Sequence, residues 1–352
     1  MNPLAQSLKE AIADLPRIAG DLPGIGGMIK AAPEHFQVEE ILPYAPCGEG
    51  EHVFVTLRRA GWNTADVARC LGDAFKLKSV DIGWGGRKDR QALTTQTFSL
   101  RLPLDLDPDR IAATLAPLDF DILSVQRHRN KLKTGHVAAN RFRILVTEVA
   151  DNALPCARSI AECLRDRGIP NYFGPQRFGR DMANLDRAAH LMTSKRPVRG
   201  KKEDFLVSAL QSALFNCWLK ERILRNDFSR ILPGDVARKT DTGGLFVVDD
   251  AAEADERFRR GAVVFTGPIY GHKMMAAKDT AGGYESAVLQ LFGLESDVFK
   301  HLRAPGSRRP AVLTAGELQI AAVDQGLEFS FILPSGAYAT TVMREFMPGE
   351  LP

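Results

Sequence analysis

The chain is poor in cysteine, and its cysteines form no pattern. Cys47, Cys70, Cys156, Cys163 and Cys217 are scattered over 352 residues. The number is odd and no CxxC pair occurs, which argues against a disulfide framework and against a zinc knuckle. Cys156 and Cys163 fall seven apart in a helical stretch and read as small buried hydrophobes. The seven histidines form no HxH or HxxxH pattern, so no metal is expected. No window approaches eighteen apolar residues in a row, so no membrane-spanning helix is expected. The opening stretch MNPLAQSLKEAIADLPRIAG lacks a basic segment followed by an apolar core and does not read as a secretory signal. These two absences together point to the cytoplasm. GxxxxGK[ST] is absent, and no GxGxxG follows a strand, which weakens any reading as a nucleotide-binding enzyme.

What is present is ordinary in bulk and uneven in detail. Hydrophobic residues make up 45% and charged residues 25%, the balance of a soluble globular protein rather than a disordered one. The length suggests about two domains on a prior of ~150 residues each. Net charge is only +3, so the whole molecule is no polycation. The cations are nevertheless grouped. RHRNKLK (127–133), SKRPVRGKK (194–202) and RAPGSRRP (303–310) contain no acid. Each alone reads as a solvated loop. Three together suggest a face that binds a phosphate backbone.

Periodicity places the elements. His52 to Leu57 alternates as a strand. NTADVARCLGDAF follows with Val67, Leu71 and Phe75 at helical spacing and Thr64 as N-cap. ALTTQTFSLRL is rich in Thr and alternates, which suits a strand. PDRIAATLAPL reads as a short helix with Pro108 near its start. FDILSVQRH and FRILVTEV read as strands joined by a basic loop, and CARSIAECLRDRG as a helix stopped by Gly168. Strands joined by both helices and loops indicate an α/β or α+β layer on a mixed sheet. Leu206, Leu210, Leu214 and Trp218 recur every four residues and predict an amphipathic helix. Residues 233–283 read as turn-rich, and Gly282-Gly283 would suit a mobile segment. LEFSFILPSGAYATTVMREF reads as strand-like. Boundaries fall near Gly168 and Arg309. If the last strand joins the first sheet, the middle segment is an insertion.

The stretch GWGGRKDRQALTTQTFSL (83–100) poses the chemical question. Its glycines suit a sharp turn and close backbone approach rather than a phosphate cradle. Asp89 stands among Arg87, Lys88 and Arg90. Neighbouring cations favour an ionised carboxylate, which can act as nucleophile or base. Taken alone, an Asp beside Arg is more often a surface pair of little energetic worth.

The wider pattern decides more. GGRKDRQALTTQTFS resembles the active-site motif of the TruD family of tRNA pseudouridine synthases. KAAPEHFQVEE (30–40), NKLKTGHVAANRF (130–142), NYFGPQRFG (171–179), ALQSALFN (209–216) and LPSGAYATTVMREF (333–346) resemble its other signatures, in order. The resemblance implies conversion of a tRNA uridine, typically uridine 13 in the D arm, to pseudouridine, with no cofactor and no metal. It implies that Asp89 is the catalytic carboxylate, which attacks sugar or base or abstracts a sugar proton to form a glycal.

The target base must leave its stack, at a cost of a few kcal/mol. By the same resemblance Phe36, Asn140 and Tyr338 contact the flipped base, and Lys88, Arg90 and Arg344 are counted with them as substrate-binding. Tyr338 stands where the family carries Phe. Alone, Phe36 reads as core, Asn140 as a turn cap and Tyr338 as a half-buried strand residue. Arg344 is a candidate to orient Asp89, because synthases of this class hold a basic side chain against the aspartate; the bland alternative is an ion pair with Glu345. NYFGPQRFG reads as structural, although Arg177 could reach phosphate. The tRNA backbone would meet Arg127, Arg129, Lys131, Lys133, Arg177, Lys201, Lys202 and the run at 303–309.

The expected architecture is a discontinuous catalytic domain, residues 1–167 and 310–352, with a mixed, largely antiparallel sheet, and an inserted domain, 168–309. A monomer acting on tRNA is expected. The rival from another class is a non-catalytic RNA-binding protein using the same basic cleft, which leaves the Lys-Asp-Arg turn unexplained.

Overall fold

The computed structural model describes residues 2–193 and 198–349. Lys195 and Arg196 of the second basic run lie outside them. The chain forms two compact units. One comprises 24–158, 315–336 and 346–352; the other comprises 1–23, 159–314 and 337–345.

The first unit is built on a nine-stranded sheet. Its strands are β1 (Gly26–Met28), β2 (Phe36–Ile41), β3 (His52–Arg59), β4 (Ile82–Trp84), β5 (Leu93–Arg101), β6 (Asp121–His128), β7 (Ala139–Val149), β8 (Gly316–Val323) and β9 (Gly326–Pro334). Their order is β8-β9-β7-β2-β5-β3-β6, with β1 added to β7 and β4 to β5. Only β2 and β5 run parallel; the other pairs are antiparallel. This is the mixed, largely antiparallel sheet the sequence implies, and the hairpin of β8 and β9 does join it.

The core of this unit follows from alternation meeting helical spacing. Val53, Val55 and Leu57 line one face of β3, and Phe98 and Leu100 stand opposite on β5. Against them pack Val67 and Leu71 of the helix Thr64–Phe75 and Ile111 and Leu115 of the helix Pro108–Leu115. Each such fully buried side chain contributes about 1.5–3 kcal/mol by leaving water. Thr64 does not cap its helix. Asn63 is the N-cap residue, and the Thr64 hydroxyl is taken up by the network described below.

The second unit gathers helices around a four-stranded sheet of Val236–Lys239, Leu245–Val247, Val263–Ile269 and Ser307–Pro310. The helix Gly200–Leu224 is buried around nearly its whole circumference from Leu206 to Leu219. It is therefore a central helix and not the amphipathic surface helix its four-residue leucine repeat suggests. Arg222 on it is fully buried against Asp235 at 3.1 Å. Residues 233–283 hold more regular structure than their turn-rich composition indicates. Gly282 and Gly283 lie inside the helix Asp279–Leu291, where a Cβ on Gly282 would come within 2.9 Å of the Ala277 carbonyl oxygen.

Residues 1–23 and 337–345, which the expected bounds of 1–167 and 310–352 place in the same domain as the sheet, group with the second unit. The helix Pro3–Ala13 packs on the helices Ala183–Thr193 and Gly200–Leu224. The stretch ATTVMREF forms the helix Ala339–Phe346 rather than strand. The Glu345 carboxylate near its end accepts from the Ile18 and Ala19 N–H groups at 2.9 and 3.1 Å. Cys217 alone among the cysteines is buried; Cys156 and Cys163 are half-buried.

Candidate active site

Alternation along FQVEE puts Glu40 on the same face of β2 as the buried Phe36 and Val38. An acid on a core-facing position needs partners, and the strand register supplies them. Glu40 stands opposite Asn140 of β7. On β5, Thr94 and Gln96 continue the same face, and Arg59 of β3 stands opposite Thr94. Glu40, Gln96 and Asn140 thus form a polar row, with Thr94 and Arg59 in the row beside it.

The polar row holds the loop between β4 and β5. Gln96 Nε2 donates to the Gly86 carbonyl at 2.8 Å and to Glu40 Oε1 at 3.1 Å. Gln96 Oε1 accepts from Arg59 Nη2 at 3.0 Å and from the Thr64 hydroxyl at 3.2 Å. The same hydroxyl accepts from the Lys88 N–H at 3.0 Å. Lys88 Nζ reaches Glu40 Oε1 at 2.8 Å, with both side chains almost wholly buried. Burial pulls the Arg59 guanidinium below its ordinary pKa, opposed by the Glu40 carboxylate. Upstream, a Cβ on Gly83 would lie 2.1 Å from the Leu132 carbonyl oxygen and one on Gly85 2.3 Å from Val137 Cγ2. Only glycine lets the basic loop lie this close to β4.

Asp89 follows Lys88 and faces outward. Its Oδ1 accepts from the Gln91 N–H at 3.0 Å and its Oδ2 from Lys30 Nζ at 3.0 Å. Partial burial pushes its pKa up. The Gln91 N–H, the hydrogen bond and charge of Lys30, and the Arg90 N–H outweigh this and leave the carboxyl below its ordinary value. Asp89 is thus an anion at neutral pH with 44% of its side chain exposed. Lys30 has the left-handed φ of 61°, which a lysine rarely adopts. Its Nζ also lies 4.7 Å from the centroid of the Phe36 ring, in reach of a cation–π contact. Lys30, Ala31, Ala32, Pro33, Gly61, Arg90 and Gln91 line an open cavity of about 510 Å³, whose edge carries both partners of the carboxylate.

Comparison with known proteins gives this site a lineage. The model of the family tRNA pseudouridine synthase D (TruD) matches residues 16–195 and 191–346. The chain belongs to the TruD family. It is 40% identical to a tRNA pseudouridine synthase D of Anaeromyxobacter dehalogenans over 96% of this chain and 98% of that one. It is 38% identical to one from Thermus thermophilus, over 95% of this chain and 92% of the relative. A solved structure from Methanosarcina mazei assigned to TruD superposes with a TM-score of 0.76 at 22% identity, covering 98% of each chain. That likeness shows the fold.

Three of the six motif stretches, 30–40, 85–99 and 130–142, lie in the unit that carries Asp89. Phe36 is 5% exposed and packs edge-on against Phe142 at 6.2 Å. Asn140 is half-buried and accepts from Lys88 Nζ at 2.8 Å. Arg90 donates from Nε to the Gly61 carbonyl at 2.8 Å. Lys88 is an internal strut rather than a flanking surface cation. Lys30, Glu40, Arg59 and Gln96 received no role in the sequence reading, and Thr64 only that of N-cap. The detectable signal was a charged residue at the end of an apolar alternation, Glu40 on β2 and Arg59 on β3.

Tyr338 and Arg344 belong to the other unit. Tyr338 precedes the last helix and meets Phe173 edge-on at 6.0 Å. The Arg344 guanidinium, expected to orient the aspartate, is taken up by the Leu15 carbonyl and by that of Pro16 at 3.5 Å. The cation on Asp89 is Lys30. Within NYFGPQRFG, Arg177 bonds Ser212 at 3.2 Å and also Ser208; it stacks 5.0 Å from the Phe205 ring.

The basic runs divide. Arg127 holds the carbonyls of Gly50, Pro103 and Leu106 at 2.9–3.1 Å. Lys131 holds that of Val80. Arg129 pairs with Glu49 at the surface. Lys133, Lys201 and Lys202 are exposed. In the run at 303–309, Arg303 is exposed but the other two arginines turn inward. Arg308 is buried on Glu285 at 2.6 Å, and Arg309 lies over the Phe173 ring at 4.0 Å, where burial pulls its guanidinium down to about 10. Among the described residues no cluster of His, Cys, Asp and Glu could hold a metal, and no helix is long and apolar enough to cross a membrane.

Proposed function

We propose that this chain is a tRNA pseudouridine synthase that isomerises uridine 13 of the D arm, with Asp89 as the reacting carboxylate and no cofactor. The observation that carries the reading is the state of Asp89. It is held ionised by Lys30 and the Gln91 N–H, half exposed, beside a cavity large enough for a nucleotide. Membership of the TruD family supplies the substrate class.

The isomerisation breaks the N1–C1′ bond, turns the base and joins C5 to C1′. N1 gains a proton and C5 loses one, so no electrons are exchanged. Whether Asp89 attacks carbon or removes the C2′ proton to give a glycal, it begins as an anion. Lys30 orients it. The uracil flipped beside Asp89 meets Asn140, and the Phe36 ring lines the wall behind Lys30. Lys133, Lys201 and Lys202 meet phosphates.

The test is incubation with bulk tRNA that lacks pseudouridine at position 13, followed by carbodiimide modification and primer extension. A new stop at uridine 13 is expected. Tightly bound tRNA with no modified uridine anywhere would favour a non-catalytic RNA-binding protein instead.

A further inference from the structure

The Asn140 amide, bonded to Lys88 next to Asp89 in the chain, has its orientation fixed by chemistry. Lys88 Nζ donates to Asn140 Oδ1 at 2.8 Å and to Glu40 Oε1 at 2.8 Å. An ammonium group has donors and no acceptor, so only the oxygen of the amide can face it. The Lys88 side chain is 9% exposed and that of Glu40 1%; either charge without the other would be costly there. Glu40 is anchored in turn by Gln96 Nε2 and by the Thr97 N–H at 3.2 Å. This line of contacts starts on the central strand β5 and ends on Asn140 Oδ1. Among the described residues no protein group accepts from Asn140 Nδ2, so its two donors are left for what enters the site.

We infer that the Glu40–Lys88 pair is a positioning device that fixes the polarity of the Asn140 amide and thereby selects uracil over cytosine. The inference rests on the reading of Asn140 as a contact to the flipped base. Uracil presents an N3–H donor beside its O4 acceptor. Cytosine presents an N3 acceptor beside its N4 amino donor. An amide in one orientation complements uracil through Oδ1 and Nδ2; after a half-turn about χ2 it complements cytosine. A freely turning amide would accept either base. Lys88 occupies one lone pair of Oδ1, leaves the other for N3–H, and forbids the half-turn. Cytosine then sets donor against donor and acceptor against acceptor in a desolvated site, which is rejection by unpaired polar groups.

The test uses two transcripts identical except for uridine or cytidine at the target position, tritiated at C5 of that base. Joining C5 to C1′ releases the C5 hydrogen to water, so tritium release reports turnover of either base. Where cytidine is not turned over, the inhibition constant of its transcript against uridine turnover gives the ratio instead. The wild type is expected to favour uridine. Lys88→Met combined with Glu40→Gln keeps volume, removes both charges and frees the amide; the uridine-to-cytidine ratio of kcat/KM is expected to fall at least about tenfold. Asn140→Asp presents two acceptors and is expected to lower the ratio as well, chiefly through loss on uridine. A merely structural role would change both substrates alike and leave the ratio in place. A ratio unchanged in both variants, each shown to be folded by its thermal transition, overturns the inference while leaving the synthase reading intact. No tritium release from uridine by the wild type would instead overturn the synthase reading itself.

Discussion

On the proposed reading the chemistry turns on the pair formed by Asp89 and Lys30. Because the Asp89 carboxyl sits below its ordinary pKa, it stays ionised to lower pH than a free carboxyl. Any stability it lends is present above the ordinary value and is lost as pH falls through the lowered one. With 44% of the side chain exposed, solvent screening keeps that contribution small. The effect on turnover is larger. Replacing Lys30 by Met removes a hydrogen bond and a charge that both lower the pKa, while burial continues to raise it. Lys30→Met is therefore expected to move the acid limb of the kcat profile upward and to lower kcat more than it raises KM. A carboxyl-carbon NMR titration of Asp89 checks the shift; an unmoved titration would show that Lys30 is a bystander. The cation itself was not legible in the sequence. Lys30 is 59 residues from Asp89, and Arg344 offered the same charge in a better-known setting. Lys30 has a left-handed backbone, and no residue pattern encodes that φ.

At the scale of elements, the site depends on how closely the basic loop lies on β4. Gly83 has no room for a methyl group against the Leu132 carbonyl. Because the obstacle is backbone rather than a flexible side chain, Gly83→Ala is expected to cost about 1–3 kcal/mol and to lower activity as the loop carrying Asp89 shifts. Urea unfolding and single-turnover rates check this, and wild-type values in both would show that the contact yields freely. The sequence disclosed most of these elements, because β3, β5, β7 and the helix Thr64–Phe75 have clean periods. It hid the polar row. Glu40 and Asn140 lie 100 residues apart, and only the register of β2 on β7 sets them opposite. It also misread ATTVMREF, where β-branched Thr340, Thr341 and Val342 suggest strand, yet docking in the second unit makes helix. The leucine repeat from Leu206 fixed a helix but not its burial, since periodicity does not record what packs on the other face.

For the whole molecule the question is which cations remain for RNA. Net charge of +3 leaves little general attraction, so affinity depends on a few placed side chains. Arg127, Arg308 and Arg309 have their guanidinium groups on protein carbonyls, carboxylates or rings. Lys133, Lys201 and Lys202 are exposed. Alanine at each of these lysines is expected to weaken tRNA binding and to flatten the plot of log affinity against log salt by about 0.7–0.9 for each phosphate no longer neutralised. Arg308→Ala is expected to lower the unfolding temperature and leave that slope unchanged. Slopes measured by filter binding over a salt series separate the two groups; a full slope in the triple lysine variant would place the RNA elsewhere. Clustering of cations along the chain was visible in the sequence. Which of them point outward was not, since that depends on which buried acids and carbonyls the fold brings to them.

The most direct measurement compares wild type with Asp89→Asn on the same tRNA, recording both pseudouridine formation and the dissociation constant. The amide is isosteric and retains a carbonyl oxygen for the Gln91 N–H, so the loop should hold its shape. The account predicts that pseudouridine formation falls below detection while affinity stays within a few-fold. Turnover preserved in Asp89→Asn would contradict it and reduce Asp89 to a charge in a surface turn.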